Sequence, residues 1–522
     1  MQVKILDTTL RDGEQTSGVS FTDSEKLTLA KILLDEVKVD RLEIASARVS
    51  SGEKSAAEMI IDWSGQNGHL EKIEILGFVD GGVSVDWIDS VGGKVLNLLG
   101  KGSLKHVKGQ LRKTPEEHAA DLNQAVSYAA SLGIRVNVYL EDWSNGMINS
   151  KDYVFFLMDA LKNVPIDRFM LPDTLGILTH RQSYDFVKEM KDRYPDKKFD
   201  FHAHNDYDLA IANSMEAVRA GADCIHTTVN GLGERAGNSV LSSTIAALKD
   251  HLDVDTNVVE DKLFRVSKIV ETFSGQRIPA NKPLVGDNVF TQACGVHADG
   301  DSKDNLYFNA LLPERFGRER KYALGKTSGK ANIKKNLAEI GIELDDASLK
   351  KVTERVIALG DKKEQVTLED LPYIVADVLD FDDIQDSVRI VNYNLSHTKG
   401  LRPVASVALE VDGKQYEANA SGDGQYDAFM NALKSIYTKK LKRNLPKLED
   451  YSVTIPPGGK TDALVETKIT WQTINREFTT RGVDTDQTFA AIKATEKMLN
   501  LIQGEAGEYQ PPQIAKRQKT LA

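Results

Sequence analysis

Apolar and polar positions change period repeatedly over the first 230 residues of the chain. Short runs rich in Val, Ile, Leu and Phe alternate with longer segments whose apolar residues recur three and four positions apart. The extended runs predict strands at Val3–Asp7, Arg41–Ala45, Ile73–Phe78, Val95–Leu99, Arg135–Glu141, Arg168–Leu171, Lys198–His202 and Cys224–Val229. The helical spacing predicts helices at Ser24–Glu36, Ser55–Trp63, Pro115–Ser131, Tyr153–Leu161 and Gln182–Tyr194, with one more between the last two strands. Eight strands with intervening helices imply an α/β fold of the parallel (β/α)8 barrel type. An open doubly wound sheet usually has fewer strands and often a glycine-rich phosphate turn after the first. Here Leu10-Arg11-Asp12-Gly13-Glu14 follows the first strand, which favours the barrel.

Beyond Gly300 the pattern is mixed, polar and helical up to about Asp382, with helices expected at Leu349–Leu359 and Leu368–Leu379. A composition shift at Asp382–Asp386 marks a boundary. Strands are then expected at Val388–Ser396, Val404–Val411, Lys414–Ala420, Tyr451–Ile455, Leu464–Trp471 and Glu477–Arg481, with helices at Tyr426–Lys439 and Asp486–Leu501. Two β-rich blocks, each closed by a helix, predict an α+β domain with an approximate internal duplication. The expected division is a barrel over 1–290, a linker over 291–385, a C-terminal α+β domain over 386–505 and a loose tail over 506–522.

A length of 522 residues agrees with two or three domains, and 41% hydrophobic with 27% charged residues is the make-up of a soluble globular protein. The net charge of −11 argues against a nucleic-acid-binding surface. No apolar run approaches 18 residues, and the amino terminus enters a strand directly, so neither a membrane span nor a signal peptide is expected. Cys224 and Cys294, 70 residues apart and without a CxxC pattern, fit free thiols in a reducing cytoplasm.

The chemistry concentrates at strand ends, where barrels place their active sites. His202 and His204 stand at i, i+2, so both imidazoles point to one side of the seventh strand. Arg11 and Asp12 follow the first strand, and Glu43, Leu76 and Leu99 lie on the next three. Tyr139 and Glu141 come from the fifth, Asp173 and Thr174 from the sixth, and Asn238 from the loop after the eighth. Asp12, His202 and His204 form a two-histidine, one-carboxylate set with positions left open, which suits a catalytic divalent metal. For Arg11 an ion pair across the barrel mouth is the plainer role. It is set aside here because a permanent cation beside a metal calls for an anionic substrate.

Three motifs carry a resemblance. Asp7–Gln15 reads DTTLRDGEQ, His202–Asp206 reads HAHND, and Gly231–Asn238 reads GLGERAGN. In this order they resemble the acyl-CoA-condensing metal barrels, the family of the isopropylmalate, citramalate and homocitrate synthases and the related lyases. The likeness continues through Cys294–Gly300, CGVHADG, and the last hundred-odd residues. Arg41–Ser50, Ile75–Asp80 and Asn137–Ser144 look most like the pyruvate-using, citramalate-forming branch. The alternative is the isopropylmalate-forming branch, which usually has Gly-Phe-Pro where this chain has Ala45-Ser46-Ala47.

The resemblance implies condensation of acetyl-CoA with a 2-oxo acid, pyruvate by preference, and hydrolysis of the thioester. It implies a divalent metal (Mn2+, Zn2+ or Mg2+) on Asp12, His202 and His204, with Asn238 as a possible fourth ligand. Arg11 would stabilise the alkoxide, and Glu141 and His297, with Tyr307 nearby, would serve proton abstraction; which one takes the proton stays open. Leu76, Leu99 and Tyr139 would face the third substituent of the keto carbon, and Thr174 would help bind substrate. The basic stretch Arg315, Arg318, Arg320, Lys321, Lys326 and Lys330 is either a solvated face or in part a contact for coenzyme A phosphates. The C-terminal domain would bind the feedback effector, isoleucine on the pyruvate branch, and help form a homodimer.

Overall fold

The computed structural model describes residues 2–301, 303, 306–361, 366–379, 388–454, 465–474 and 477–505. It divides into two compact units, Met1–Thr291 with Phe308–Arg320, and Gln292–Tyr307 with Lys321–Ala522.

In the first unit eight parallel strands close in chain order: β1 (Lys4–Asp7), β2 (Arg41–Ser46), β3 (Ile73–Phe78), β4 (Val95–Lys101), β5 (Arg135–Glu141), β6 (Ile166–Asp173), β7 (Phe199–Ala203) and β8 (Cys224–Thr227). The seam joins β8 to β1, from Lys4 opposite Cys224 to Asp7 opposite Thr227. Helices lie between the strands and begin where the side chains dictate. Asp23–Lys31 starts on a Thr22/Glu25 capping box, Pro115–Ser131 on Thr114/Glu117 with Pro115 in the first turn, and His180–Arg193 on Thr179/Gln182. The helix expected at Ser24–Glu36 widens into a π turn over Ile32–Val37 and stops at Lys38, whose φ of 63° cannot continue it. The main apolar core lies between strands and helices, with Leu33, Ile60, Val126, Val154, Leu157 and Val187 fully or nearly fully buried.

The barrel interior is different. Alternate strand residues put Leu6, Leu76, Tyr139, Met170 and Cys224 into one small apolar cluster, against which Leu99 packs. Other buried strand positions are polar. Asn137 donates to Asn97 (2.8 Å), which donates to Glu43 (2.7 Å); Arg41 pairs with Glu74 and Asp200, and Arg168 with Asp200.

Part of the basic stretch is spent inside this unit. Arg315 pairs with Glu260 and Asp250, and Arg318 donates to the carbonyls of Leu284 and Gly286.

The second unit has a helical part, Lys330–Glu339, Asp346–Asp361 and Leu371–Val378, closed around Ile333, Leu337, Val352, Val356 and Leu371. There Lys326 pairs with Asp361. Two repeats follow. Val388–Ser396, Val404–Val411 and Lys414–Ser421 form an antiparallel sheet followed by helix Gln425–Ser435. Lys447–Thr454, Val465–Gln472 and Glu477–Asp484 form another, followed by helix Gln487–Glu505. They share a core that includes Leu409, Phe429, Leu433, Ile469, Trp471 and Met498. Gly482 allows the last strand and helix to meet, since a Cβ there would lie 1.9 Å from the Ala490 carbonyl oxygen. The boundary expected at 382–386 and the tail at 506–522 lie outside the described residues. No helix among the described residues is long and apolar enough to cross a membrane.

Candidate metal and substrate site at the barrel mouth

Asp12 is fixed by its own loop. The amides of Arg11, Asp12 and Gly13 all turn back onto the Thr8 carbonyl at 2.8–3.1 Å, so the chain folds sharply over the end of β1. His202 is on β7 and His204 is just past it, in an antiparallel bridge with Asn238. The Asn205 amide bonds the Gly237 carbonyl and the Ser239 amide bonds that of Ala203, so the loop after β8 is laid along the end of β7.

These elements bring three ligand-type side chains together, all buried. His202 Nε2 is 3.3 Å from Asp12 Oδ2 and 3.3 Å from His204 Nε2, and His204 Nε2 is 4.0 Å from Asp12 Oδ2. Burial, then the His202 neighbour, brings His204 down to about 4, so its ring is neutral near neutral pH. For Asp12 burial works upward, but Arg11 and the two histidines outweigh it and hold the carboxyl well below the usual range. Asp12 Oδ1 and Asn238 Oδ1 are buried with no hydrogen-bond partner, and Asn238 commits its amide to the Leu232 carbonyl at 3.0 Å. Gly233 is required beside them, for a Cβ would lie 2.2 Å from Asn238 Nδ2 and 3.3 Å from Asp12 Oδ1. An anionic carboxylate, two imidazoles and an unpaired amide oxygen fit a divalent cation.

A second buried cluster, Asp200, Cys224 and His226, also has ligand-type atoms close together. It does not suit a cation, because the guanidinium of Arg41 contacts both Asp200 and Cys224, and that of Arg168 contacts Asp200.

Arg11 corrects the sequence reading. The ion pair that was set aside is present: Nε meets Glu43 at 2.5 Å and Nη1 meets Asp12 at 3.0 Å. Glu43 is fully buried and needs a cation, which the sequence alone did not reveal because β2 is 32 residues away. The third arm, Nη2, donates to the Tyr139 hydroxyl at 3.3 Å.

A cavity of ≈ 330 Å³ opens beside these groups, lined by Arg11, Asp12, His202 and His204 on its polar side. Leu76, Leu99, Phe78 and the Tyr139 ring supply apolar wall, and Glu141 and Thr174 also line it. Glu141 is ion-paired with Lys101, a residue the sequence reading passed over. Thr174 is fixed from both sides, its hydroxyl accepting from the Asp142 amide (2.9 Å) and its carbonyl from Arg235 (2.8 Å). His297 and Tyr307 belong to the second unit, where their ring centroids are 4.3 Å apart. The sequence reading missed Asp200 and His226 and gave Glu43 no role; a charged or polar residue at every second position marks Glu43 in β2 and Asp200 in β7, whereas β8 has no such alternation to mark His226.

Residues 2–270 match the HMGL-like family, 284–364 the homocitrate synthase post-HMGL domain-like family, and 365–503 the LeuA allosteric (dimerisation) domain. The chain belongs to the HMGL-like family. It is therefore an enzyme of the acyl-CoA-condensing synthases and lyases, a divalent-metal-dependent group. Among relatives of this family member, the (R)-citramalate synthase of Methanocaldococcus jannaschii is 35% identical over 511 residues, covering 96% of this chain and 100% of its own. The 2-isopropylmalate synthase of the same organism is 34% identical over 508 residues, covering 96% and 95%. A Methanopyrus kandleri relative assigned to (R)-citramalate synthesis is 36% identical over 433 residues, 83% of each chain.

Proposed function

We propose that this family member is an (R)-citramalate synthase, condensing acetyl-CoA with pyruvate and water to give citramalate and coenzyme A. The observation that carries this reading is the apolar wall of Leu76, Leu99, Phe78 and Tyr139 facing the Asp12/His202/His204 group across one small cavity. A methyl substituent suits such a wall, and an isopropyl group is crowded by it.

Asp12, His202 and His204 would hold the cation, with Asn238 Oδ1 as a fourth donor. When bound, a divalent cation supplies Lewis acidity to the carbonyl of a 2-oxo acid. Arg11 lines the same cavity with a fixed positive charge, held in place by Glu43 and Tyr139, and would stabilise the oxyanion formed as the carbon–carbon bond closes. Glu141, which lines the cavity and is steadied by Lys101, would serve removal of the acetyl methyl proton, with His297, next to Tyr307 in its own unit, as the other candidate base. Thr174, with its backbone fixed, would orient the substrate carboxylate. Mn2+, Zn2+ or Mg2+ all fit a mixed N/O donor set. In this reading the chain acts in the cytoplasm as a homodimer through its 365–503 domain, which takes isoleucine as feedback effector.

The second reading is 2-isopropylmalate synthase, favoured by the near-equal identity of the two Methanocaldococcus jannaschii relatives. A panel of 2-oxo acids with acetyl-CoA, followed by free-thiol release, decides between them. Pyruvate should be turned over far better than 2-oxoisovalerate, and the reverse order would select the second reading.

A further inference from the structure

The hydrogen bonds behind Tyr139 have a direction. Asp200 is fully buried against the guanidinium groups of Arg41 and Arg168, so it is a carboxylate and can only accept. His226, also buried, places Nε2 at 3.3 Å from Asp200 Oδ2 and Nδ1 at 3.1 Å from the Tyr139 hydroxyl. The charge of Asp200 is already answered by two arginines, so this enclosed ring is neutral and carries one proton. An acceptor-only neighbour draws that proton to Nε2 and leaves Nδ1 bare.

Tyr139 has one proton and two acceptors within reach. The Glu43 oxygen is 3.5 Å away and already takes Arg11 Nε at 2.5 Å, whereas Nδ1 of His226 is nearer and otherwise unused. The hydroxyl therefore donates to His226, and its lone pair is left for Arg11 Nη2 at 3.3 Å. From Arg11 Nη2 through the Tyr139 hydroxyl to His226 Nε2, each hydrogen bond of the series runs toward Asp200.

We propose that His226 is a positioning residue, whose bare Nδ1 orients the Tyr139 hydroxyl so that its oxygen accepts from Arg11 and fixes both the guanidinium and the apolar wall of the cavity. The inference rests on the proposed function for its kinetic test only.

The first test is independent of turnover. In the full-length chain labelled with 15N-histidine, and with His226 assigned by its absence in His226→Asn, Nδ1 should be unprotonated and Nε2 protonated. A protonated Nδ1 overturns the proposal whether or not pyruvate is a substrate. The second test is a cycle in kcat/KM for pyruvate. His226→Leu should lower it about tenfold, the worth of one buried hydrogen bond, and His226→Asn, which keeps an acceptor at the Nδ1 position, should restore most of the loss. On a Tyr139→Phe background His226→Leu should change it less than about twofold, because the hydroxyl it serves is gone. Equal losses on the two backgrounds would make His226 a packing residue and defeat the proposal. A wild-type enzyme inactive on pyruvate would defeat the substrate reading instead and leave the Nδ1 state to decide.

Discussion

Leu99→Ala tests the substrate pocket most directly. Leu99 stands opposite Phe78 on β3 and Tyr139 on β5, half-buried, with one face on the apolar cluster and the other on the cavity. Because it borders open space, truncation widens the cavity instead of sealing a void, and the stability cost should fall near the low end of the Leu→Ala range, about 2 kcal/mol. Replacing the methyl group of pyruvate by isopropyl adds two methyl groups. With room they are worth about 1.6 kcal/mol at ~0.8 kcal/mol each. Without room, overpacking costs roughly 1–3 kcal/mol. The full swing is about 2.6–4.6 kcal/mol, of which one wall residue among four can release about 0.7–1.2 kcal/mol. The ratio of kcat/KM for pyruvate to that for 2-oxoisovalerate should therefore fall by roughly 3- to 7-fold. Thiol release with each 2-oxo acid at saturating acetyl-CoA measures it. A ratio unchanged within about twofold, in a variant that still turns over pyruvate, would show that Leu99 is barrel core and no part of the specificity wall.

Four further outcomes are expected. Chelation should abolish activity and pyruvate binding, a divalent ion should restore both, and His202→Ala should lower bound metal and turnover together; full activity of metal-stripped protein would exclude the assignment. Glu141→Gln should lower kcat by about 10²–10⁴ if Glu141 takes the proton, whereas a small change would pass that role to His297. Burial pushes Asp7 up to about 7 from 3.8. Its folded form holds a proton that the unfolded chain has lost, so wild type should lose stability relative to Asp7→Asn as pH rises from about 4 to 7, by at most about 4 kcal/mol; urea midpoints at pH 5 and 8 check the sign. Truncation near Asp386 should abolish inhibition by isoleucine, and oligomeric state must be measured on the same protein, because 365–503 matches a dimerisation domain.

The barrel was legible because each strand and helix announces its own period. Ile73–Phe78, Arg135–Glu141 and Pro115–Ser131 match to the residue. The helix Val83–Ser90 escaped because it has only eight residues and follows Gly81 and Gly82, both at positive φ, where punctuation reads as loop. β6 runs on to Asp173 through Pro172, a residue that a sequence reader takes as a strand end. At the site, Asp12, His202 and His204 could be grouped from strand-end position and ligand chemistry. The pairing of Arg11 with Glu43, of Glu141 with Lys101 and of Asp200 with two arginines could not, because each joins strands 32 to 159 residues apart, and no local pattern encodes which strand a barrel places opposite.

That polar interior also bears on why the site would take a cation and an anion together. Three guanidinium groups, Arg11, Arg41 and Arg168, face four buried carboxyl groups, Asp12, Glu43, Glu74 and Asp200. With all of them charged the group carries one surplus negative charge. Arg41 and Arg168 are spent on Asp200 and Glu74, and Arg11 is divided between Glu43 and Asp12; Glu74 Oε2 and Asp12 Oδ1 both lack a partner, but burial pushes the Glu74 carboxyl up while Asp12 is held well below the usual range, so the negative charge open to a cation is the one on Asp12. A buried unpaired charge is costly, and a divalent cation removes the cost but leaves one positive charge over. A 2-oxo acid brings one carboxylate and restores neutrality. On this argument metal and substrate anion stabilise each other's binding, so pyruvate affinity should be lost with the metal even though Arg11, the wall of Leu76, Leu99 and Tyr139, and the cavity remain.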